Sequence, residues 1–162
     1  TLTLIPIVVG SALYGWGSGA WLGFVFGVTV LLTGDANLFL AVNIPGTIIT
    51  VILKGTLAGA AAGFVYKLIS KKNQIAAVIV SAVVAPVVNT GIFVLGSYVF
   101  FFDYLSGLAE GTNLFVFILV GLVGINFFIE LGINLVLNPA ILQIIRIGKK
   151  NFGGKNQIIK TK

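Results

Sequence analysis

Charged side chains are nearly confined to short segments between long apolar stretches, and this distribution rules out most folds for a chain of 162 residues. Only 9% of the residues are charged, whereas about a quarter are charged in a typical soluble domain. Apolar stretches of about 20 residues have the length of helices that span a bilayer. The sequence therefore predicts an all-α integral membrane protein with one transmembrane domain, residues 1–150, and a basic tail, residues 151–162.

The apolar stretches predict five spans separated by short turns and by two longer loops. The spans are expected at residues 1–14, 20–33, 47–69, 75–102 and 113–137. A tight turn is expected at residues 15–19, and the loops at 35–46 and 103–112. Asn138-Pro139 should end the fifth span, and a shorter apolar stretch, 140–147, continues to the tail. The first stretch is short and lacks an initial Met, so we expect a preceding helix and six spans in the intact protein.

The charges also predict how the chain is oriented. Basic residues cluster at 67–72 and again from Arg146 to the C-terminus, whereas the loops 35–46 and 103–112 carry acidic residues and no basic ones. Basic loops remain cytoplasmic under the positive-inside rule. We therefore expect a multi-pass protein of a bacterial cell membrane with a cytoplasmic C-terminus. Basic residues placed at span ends also argue against nucleic-acid binding.

Glycines recur at every fourth position in two predicted spans. Such faces allow helix backbones to approach closely in lipid. The ladders permit two interpretations, packing within the subunit or docking of a partner membrane protein. Their members are Gly19, Gly23 and Gly27 in the second span, and Gly55, Gly59 and Gly63 in the third.

Lys54 lies inside the third predicted span, far from the lysine cluster at the end of that span. A charge in hydrocarbon is costly and needs a partner or a route to water. The side chain either extends outward to the interface, or it faces a cavity and holds an anion or an internal carboxylate. Lysine suits such a role as a compact charge with three donors.

Glu130 is the only carboxylate deep in a predicted span, and it shares a helical face with Asn126 and Asn134. Three interpretations are open: a hydrogen-bonded network between helices, an ion pair with Lys54, or a proton or sodium site. The rise per residue places Lys54 nearer the outer side than Glu130, which argues against direct pairing.

A proline within the fourth predicted span marks a second group of polar residues. Pro86 frees a backbone carbonyl, and Asn89 and Thr90 follow within about one turn. These two side chains either line a binding site or bond a neighbouring helix. Tyr98 is expected among the aromatic residues of the outer interface or as the roof of a cavity.

The chain lacks the residues that most catalytic and cofactor sites require. Cys and His are both absent, which excludes thiol chemistry and Cys/His metal or haem sites. The sequence contains no nucleophile elbow and no phosphate-binding loop of the GxxxxGK[ST] type. We therefore predict no enzyme activity and no cofactor, and any active transport must draw energy from an ion gradient or from another subunit.

Five segments of the chain have a pattern found in a known family: 5–10 (IPIVVG), the glycine-rich second span, 45–67, 85–93 (APVVNTGIF) and 100–102 (FFF). They resemble the substrate-binding S components of energy-coupling factor (ECF) vitamin transporters, in particular the pantothenate type. The resemblance extends over nearly the whole chain to about residue 150.

This resemblance implies a six-helix bundle, with its first helix absent from this chain, and a vitamin pocket near the outer face. It also implies a transmembrane T component and two ATP-binding subunits as partners, with transport by toppling of the S component. Lys54 would bind the pantothenate carboxylate, and Asn89 and Asn126 its hydroxyls or amide. Loop residues would close over the ligand, and the full expected contact set is Lys54, Asn89, Asn126, Thr90, Asn43, Tyr98 and Glu130, with Asn113 as a further loop residue.

Three other functions remain open at the level of sequence. The chain could be an S component for another small vitamin or precursor, such as a hydroxymethylpyrimidine or pyridoxine. It could be a stand-alone ion-coupled carrier that uses Glu130. It could also be a structural subunit whose glycine ladders serve only assembly.

Overall fold

The computed structural model describes residues 4–153, apart from the side chains of Asn126 and of residues 151–153. The described segments of secondary structure are all helical. A π-helical segment, Phe117–Val123, joins α7 to α8. The α-helices are α1 Leu4–Tyr14, α2 Trp16–Thr33, α3 Asn37–Leu40, α4 Ile44–Ser70, α5 Gln74–Phe100, α6 Phe102–Leu108, α7 Leu114–Val116, α8 Gly124–Val136 and α9 Asn138–Gly153.

Three of these helices, α2, α4 and α5, are long and apolar enough to cross a membrane. The segment from Leu114 to Val136 is a fourth candidate, although it bends by 47° at its break. The helix α1 has 11 residues, or about 16 Å at 1.5 Å per residue, roughly half of a hydrocarbon core. The all-α prediction is therefore confirmed, but the described residues provide at most four candidate spans instead of five.

Element boundaries differ from the prediction where a single residue reverses the chain. Gly15, at a φ of 97°, makes the turn alone, and α2 begins at Trp16 instead of Ala20. The predicted loops 35–46 and 103–112 are also not irregular throughout. They contain α3, the start of α4 and most of α6. The predicted tail, residues 151–162, lies mostly outside the described residues.

The two glycine ladders face each other between α2 and α4. A Cβ atom added to Gly23 would overlap the carbonyl oxygen of Gly55, and one added to Gly59 would overlap that of Gly19. The pairing of early α2 with late α4 makes the two helices antiparallel. Small-residue packing thus joins helices within the subunit, and these buried faces are not free to dock a partner.

The bundle has two ends of opposite charge. We call the end with Lys67, Lys71 and Lys72 the basic end, and the end with Asp35 and Asp103 the acidic end. A core cluster joins α1, α4, α5 and α9 near the basic end; it includes Val8, Tyr66, Val78, Ile141 and Ile145. Burial of these side chains removes the apolar face of α9 from solvent.

The basic face of α9 also contacts this end of the bundle. The Lys149 Nζ atom lies 5.0 Å from the centroid of the Tyr66 ring, within the range of a cation–π interaction. The predicted apolar stretch 140–147 is therefore part of a longer amphipathic helix that packs on the bundle.

Candidate functional site

A cavity of about 560 Å³ lies between α2, α4, α5 and the bent segment that ends in α8. It is close to the acidic end, because Asp35 and Phe39 from the segment between α2 and α4 line it. The backbone of Gly124 departs from helical geometry, with a φ of −13° and a ψ of −98°. That break lies beside the cavity-lining residue Val123 and lets α8 turn away from the helical segment before it. The volume falls in the range of small-molecule binding sites.

Lys54 faces this cavity and does not extend to the end of the bundle. Its Nζ atom lies 5.4 Å from the centroid of the Phe93 ring on α5. Asp35 and Glu130 line the same cavity, and both interact electrostatically with Lys54. Among the described residues, neither carboxylate forms a direct ion pair with the lysine. The structure therefore favours the cavity-facing interpretation of Lys54 over a side chain directed to the interface.

Glu130 lies deeper than Lys54, on the side toward the basic end. Asn134, one turn after Glu130, donates a hydrogen bond to the carbonyl oxygen of Ala82 at 3.3 Å. Lys54 lies beside Phe93. At 1.5 Å per residue, Phe93 is about 16 Å beyond Ala82 along α5, toward the acidic end. Asn134 is level with Ala82, and Glu130 lies one helical turn from Asn134 toward the acidic end. The backbone at Glu130 is therefore about 10 Å nearer the basic end than the backbone at Lys54.

Asp35 occupies the opposite side of Lys54, at the mouth of the cavity. Gly34 ends α2 in the left-handed conformation, with a φ of 86°, and so turns the chain toward α3. Asp35 follows directly, is exposed, and accepts a hydrogen bond from the Thr33 hydroxyl at 3.1 Å. The order from the mouth to the floor is therefore Asp35, Lys54, Glu130.

Asn89 and Thr90 add uncharged polar groups to the cavity wall. Asn89 is only 8% exposed, and its Oδ1 atom has no hydrogen-bond partner in the structure. A buried acceptor without a partner costs about 1–3 kcal/mol. Asn89 also lines the cavity, and a bound molecule that reached this atom would supply the missing donor.

Four phenylalanine rings form much of the apolar wall. They come from α2, α3, α5 and α8; these are Phe26, Phe39, Phe93 and Phe127. Phe39 and Phe93 meet edge to face, with ring centroids 5.6 Å apart. Such rings provide flat apolar surfaces for a ligand and hold one another in place.

Comparison with known proteins identifies the type of membrane protein. Residues 1–142 match the family model described as "ECF transporter, substrate-specific component". The chain belongs to this family. No match was found among curated proteins or among solved structures. The family's members are substrate-binding membrane subunits of ECF transporters and are not enzymes.

In this S component, two predicted contact residues have other positions. Asn43 caps α4 by accepting a hydrogen bond from the Gly46 amide at 2.9 Å, and it donates to the Phe100 carbonyl at 3.3 Å. Tyr98 packs beside Phe102, with ring centroids 6.2 Å apart, in an aromatic cluster at the acidic end. Neither side chain is part of the cavity wall, so their contact with a ligand stays a prediction.

The two other asparagines in the predicted set differ from each other. Asn113 caps the short helix α7 by accepting hydrogen bonds from the amides of Phe115 and Val116. The side chain of Asn126 lies outside the described residues, although its backbone belongs to α8, four residues before Glu130. Their contact with a ligand stays a prediction.

Sequence reasoning missed Asp35 and the four phenylalanines of the cavity. The available signal for Asp35 was its position directly after Gly34 at the end of an apolar stretch. The phenylalanines had no comparable signal, because aromatic residues are common both in helix cores and against lipid.

We expect Asn43→Ala in this S component to lower the free energy of unfolding by about 1–2 kcal/mol, the usual cost of a lost N-cap. Asn73→Ala is the matched control, because the Asn73 side chain caps α5 through the amides of Ile75 and Ala76, which belong to that same helix. Thermal unfolding in detergent should show the larger loss for Asn43→Ala, which also breaks the contact with Phe100. Equal losses would mean that this contact contributes nothing to stability.

Proposed function

We propose that this S component captures pantothenate in the cavity near the acidic end and delivers it to an ATP-driven importer. The observation that carries the proposal is the combination in one cavity of Lys54 with Asn89, whose buried Oδ1 atom has no partner. The acidic end would face outward and the basic end would face the cytoplasm under the positive-inside rule. The cavity would then open toward the vitamin supply.

The ligand's groups find matching partners in this arrangement. The carboxylate would lie near Lys54, and Asn89 and Thr90 would bond the amide and hydroxyls. The side chain of Asn126 remains a proposed contact from α8. The phenylalanine walls would pack against the ligand's methyl groups and exclude water, which strengthens each polar contact.

Energy for import would come from partner subunits. The family implies a transmembrane T component and two cytoplasmic ATP-binding subunits. We infer that the S component topples in the bilayer against the T component to release its ligand. Apolar side chains exposed on α2, α4 and α5 suit lipid contact in both orientations.

A second candidate ligand is a flat heterocyclic vitamin or precursor, such as a hydroxymethylpyrimidine or pyridoxine. The specific observation in its favour is the set of four phenylalanine rings, since planar rings stack well on aromatic side chains. A neutral ligand of this kind would depend less on Lys54 than pantothenate does.

Mass spectrometry of small molecules released from the purified protein tests the proposal, together with binding of labelled pantothenate, hydroxymethylpyrimidine and pyridoxine in nanodiscs. We expect saturable binding of pantothenate with a Kd well below the millimolar range. Binding of a pyrimidine or pyridoxine alone would transfer the function to the second candidate. Assembly with the partner subunits without binding of any small molecule would favour a structural subunit instead.

A further inference from the structure

The charged residues of the cavity form an unusual set for a site that takes an anion. One lysine lies between two carboxylates, with Asp35 toward the mouth and Glu130 toward the floor. The formal charges are +1, −1 and −1, which sum to −1. A ligand that carries only a carboxylate would therefore enter a cavity in which its attraction to Lys54 is offset by two repulsive interactions.

The carboxylates do not neutralise the lysine by direct contact. Neither forms an ion pair with Lys54 within the described part of the chain, and the backbone at Glu130 lies about 10 Å deeper along the bundle. All three charged residues instead line one cavity with room for a ligand. A carboxylate that lines such space is a strong hydrogen-bond acceptor for a hydroxyl or amine group of the ligand.

The buried amide of Asn89 provides independent support for a ligand between these charges. Its Oδ1 atom is an acceptor without a partner, and the side chain is more than nine-tenths buried. Two acceptors, Asn89 and Glu130, thus line the inner part of the cavity. No described residue donates a hydrogen bond to Asn89 Oδ1, which is buried, or to the Glu130 carboxylate, which is half-buried.

We propose that Glu130 selects ligands that carry hydrogen-bond donors at the end opposite their acidic group, so that the cavity recognises a bipolar molecule instead of a simple anion. This inference rests on the proposed function and adds a specificity rule to it. Lys54 takes the acidic or acceptor group, and Glu130, assisted by Asn89, takes hydroxyl or amine donors. A carboxylic acid of the same shape without donors covers the Glu130 carboxylate without giving it a partner and is rejected.

A pair of ligands tests this rule. Pantothenate and its dideoxy analogue share the carboxylate and the amide, but the analogue lacks both hydroxyls. A hydrogen bond to a charged group contributes enough for the wild-type protein to prefer pantothenate by about tenfold to a hundredfold. Binding is measured by calorimetry on the full chain in nanodiscs.

The variant Glu130→Gln tests the residue itself, because the amide keeps the shape and one acceptor but removes the charge. We expect the preference for pantothenate to fall by about tenfold. Binding of the dideoxy analogue should be unchanged or tighter, since its carboxylate no longer meets a second negative charge. Glu110→Gln is the matched control: Glu110 is exposed in the segment after α6, so the preference should be unaffected.

The outcomes separate this inference from the proposed function. Equal wild-type affinity for both ligands overturns the inference and leaves pantothenate binding intact. An equal loss of affinity for both ligands in Glu130→Gln also overturns it, because that result indicates only a structural role.

If neither ligand binds, the proposal of pantothenate as the ligand is wrong. The same comparison is then made with two forms of hydroxymethylpyrimidine, one with a ring amino group and one without it. A donor preference that depends on Glu130 in that pair supports the inference, and binding of none of the four probes overturns both proposals.

Discussion

Lys54→Ala is expected to weaken pantothenate binding by about 2–5 kcal/mol, or tens- to thousands-fold in Kd. The size of this effect follows from the charges that remain. Without the lysine, Asp35 and Glu130 leave the cavity with a formal charge of −2, which repels the ligand's carboxylate. Lys54→Met separates charge from packing, because it keeps an apolar stem beside Phe93. Both variants should lose binding to a similar extent.

Lys67→Ala is the matched control for this experiment. Lys67 lies on the same helix, but it is exposed near the basic end and away from the cavity. Its replacement should leave the Kd unchanged in equilibrium binding of labelled pantothenate. Unchanged affinity in Lys54→Ala would remove this residue from ligand recognition, and tighter binding of a pyrimidine in that variant would favour the second candidate ligand.

Lys54 and Glu130 could be found from sequence because charge is costly in a bilayer. An ionisable side chain within an apolar stretch needs a reason, and a cavity is one of few available reasons. The sequence could not place Asp35 beside them, because that depends on the turn at Gly34, which directs the next residues over the mouth of the cavity. A loop carboxylate has no desolvation cost that would mark it in the sequence.

The positions of the spans could be predicted from sequence, but their bends could not. Hydrophobicity located α2, α4 and α5 closely, because each is one apolar helix of at least 18 residues. The fifth predicted span was placed correctly along the chain, but its π-helical segment and 47° bend were not expected. A hydrophobic run sets the length of a span, whereas a bend depends on how neighbouring helices pack, and the bend beside Val123 contributes to the cavity.

Spacing alone also could not decide which surface the glycine ladders contact. A glycine at every fourth position predicts that a helix is closely approached, but it does not identify the other helix. In the structure Gly23 meets Gly55, and Gly27 lies next to the backbone of Val51 and Ile52. The partner became evident only because the second ladder lies at the matching level of the antiparallel helix.

Gly23→Ala is expected to lower the free energy of unfolding by about 1–3 kcal/mol, because an added Cβ would overlap the backbone of Gly55. Carbonyl and glycine backbone atoms cannot move aside as a flexible side chain would, so α2 and α4 must separate. That movement also shifts Lys54, which is adjacent to Gly55. Ligand affinity should therefore fall along with the apparent melting temperature. Gly23→Leu should prevent recovery of monodisperse protein.

Gly17→Ala is the matched control on the same helix, since an added Cβ at Gly17 meets no atom within 4 Å. It should change stability by no more than about 0.5 kcal/mol, as is usual for surface substitutions. Thermal unfolding followed by size-exclusion chromatography in one detergent compares the two variants directly. Equal stability of Gly23→Ala and Gly17→Ala would show that the α2–α4 contact is looser than the structure has it. A stability loss with unchanged ligand affinity would show that the cavity does not depend on this contact.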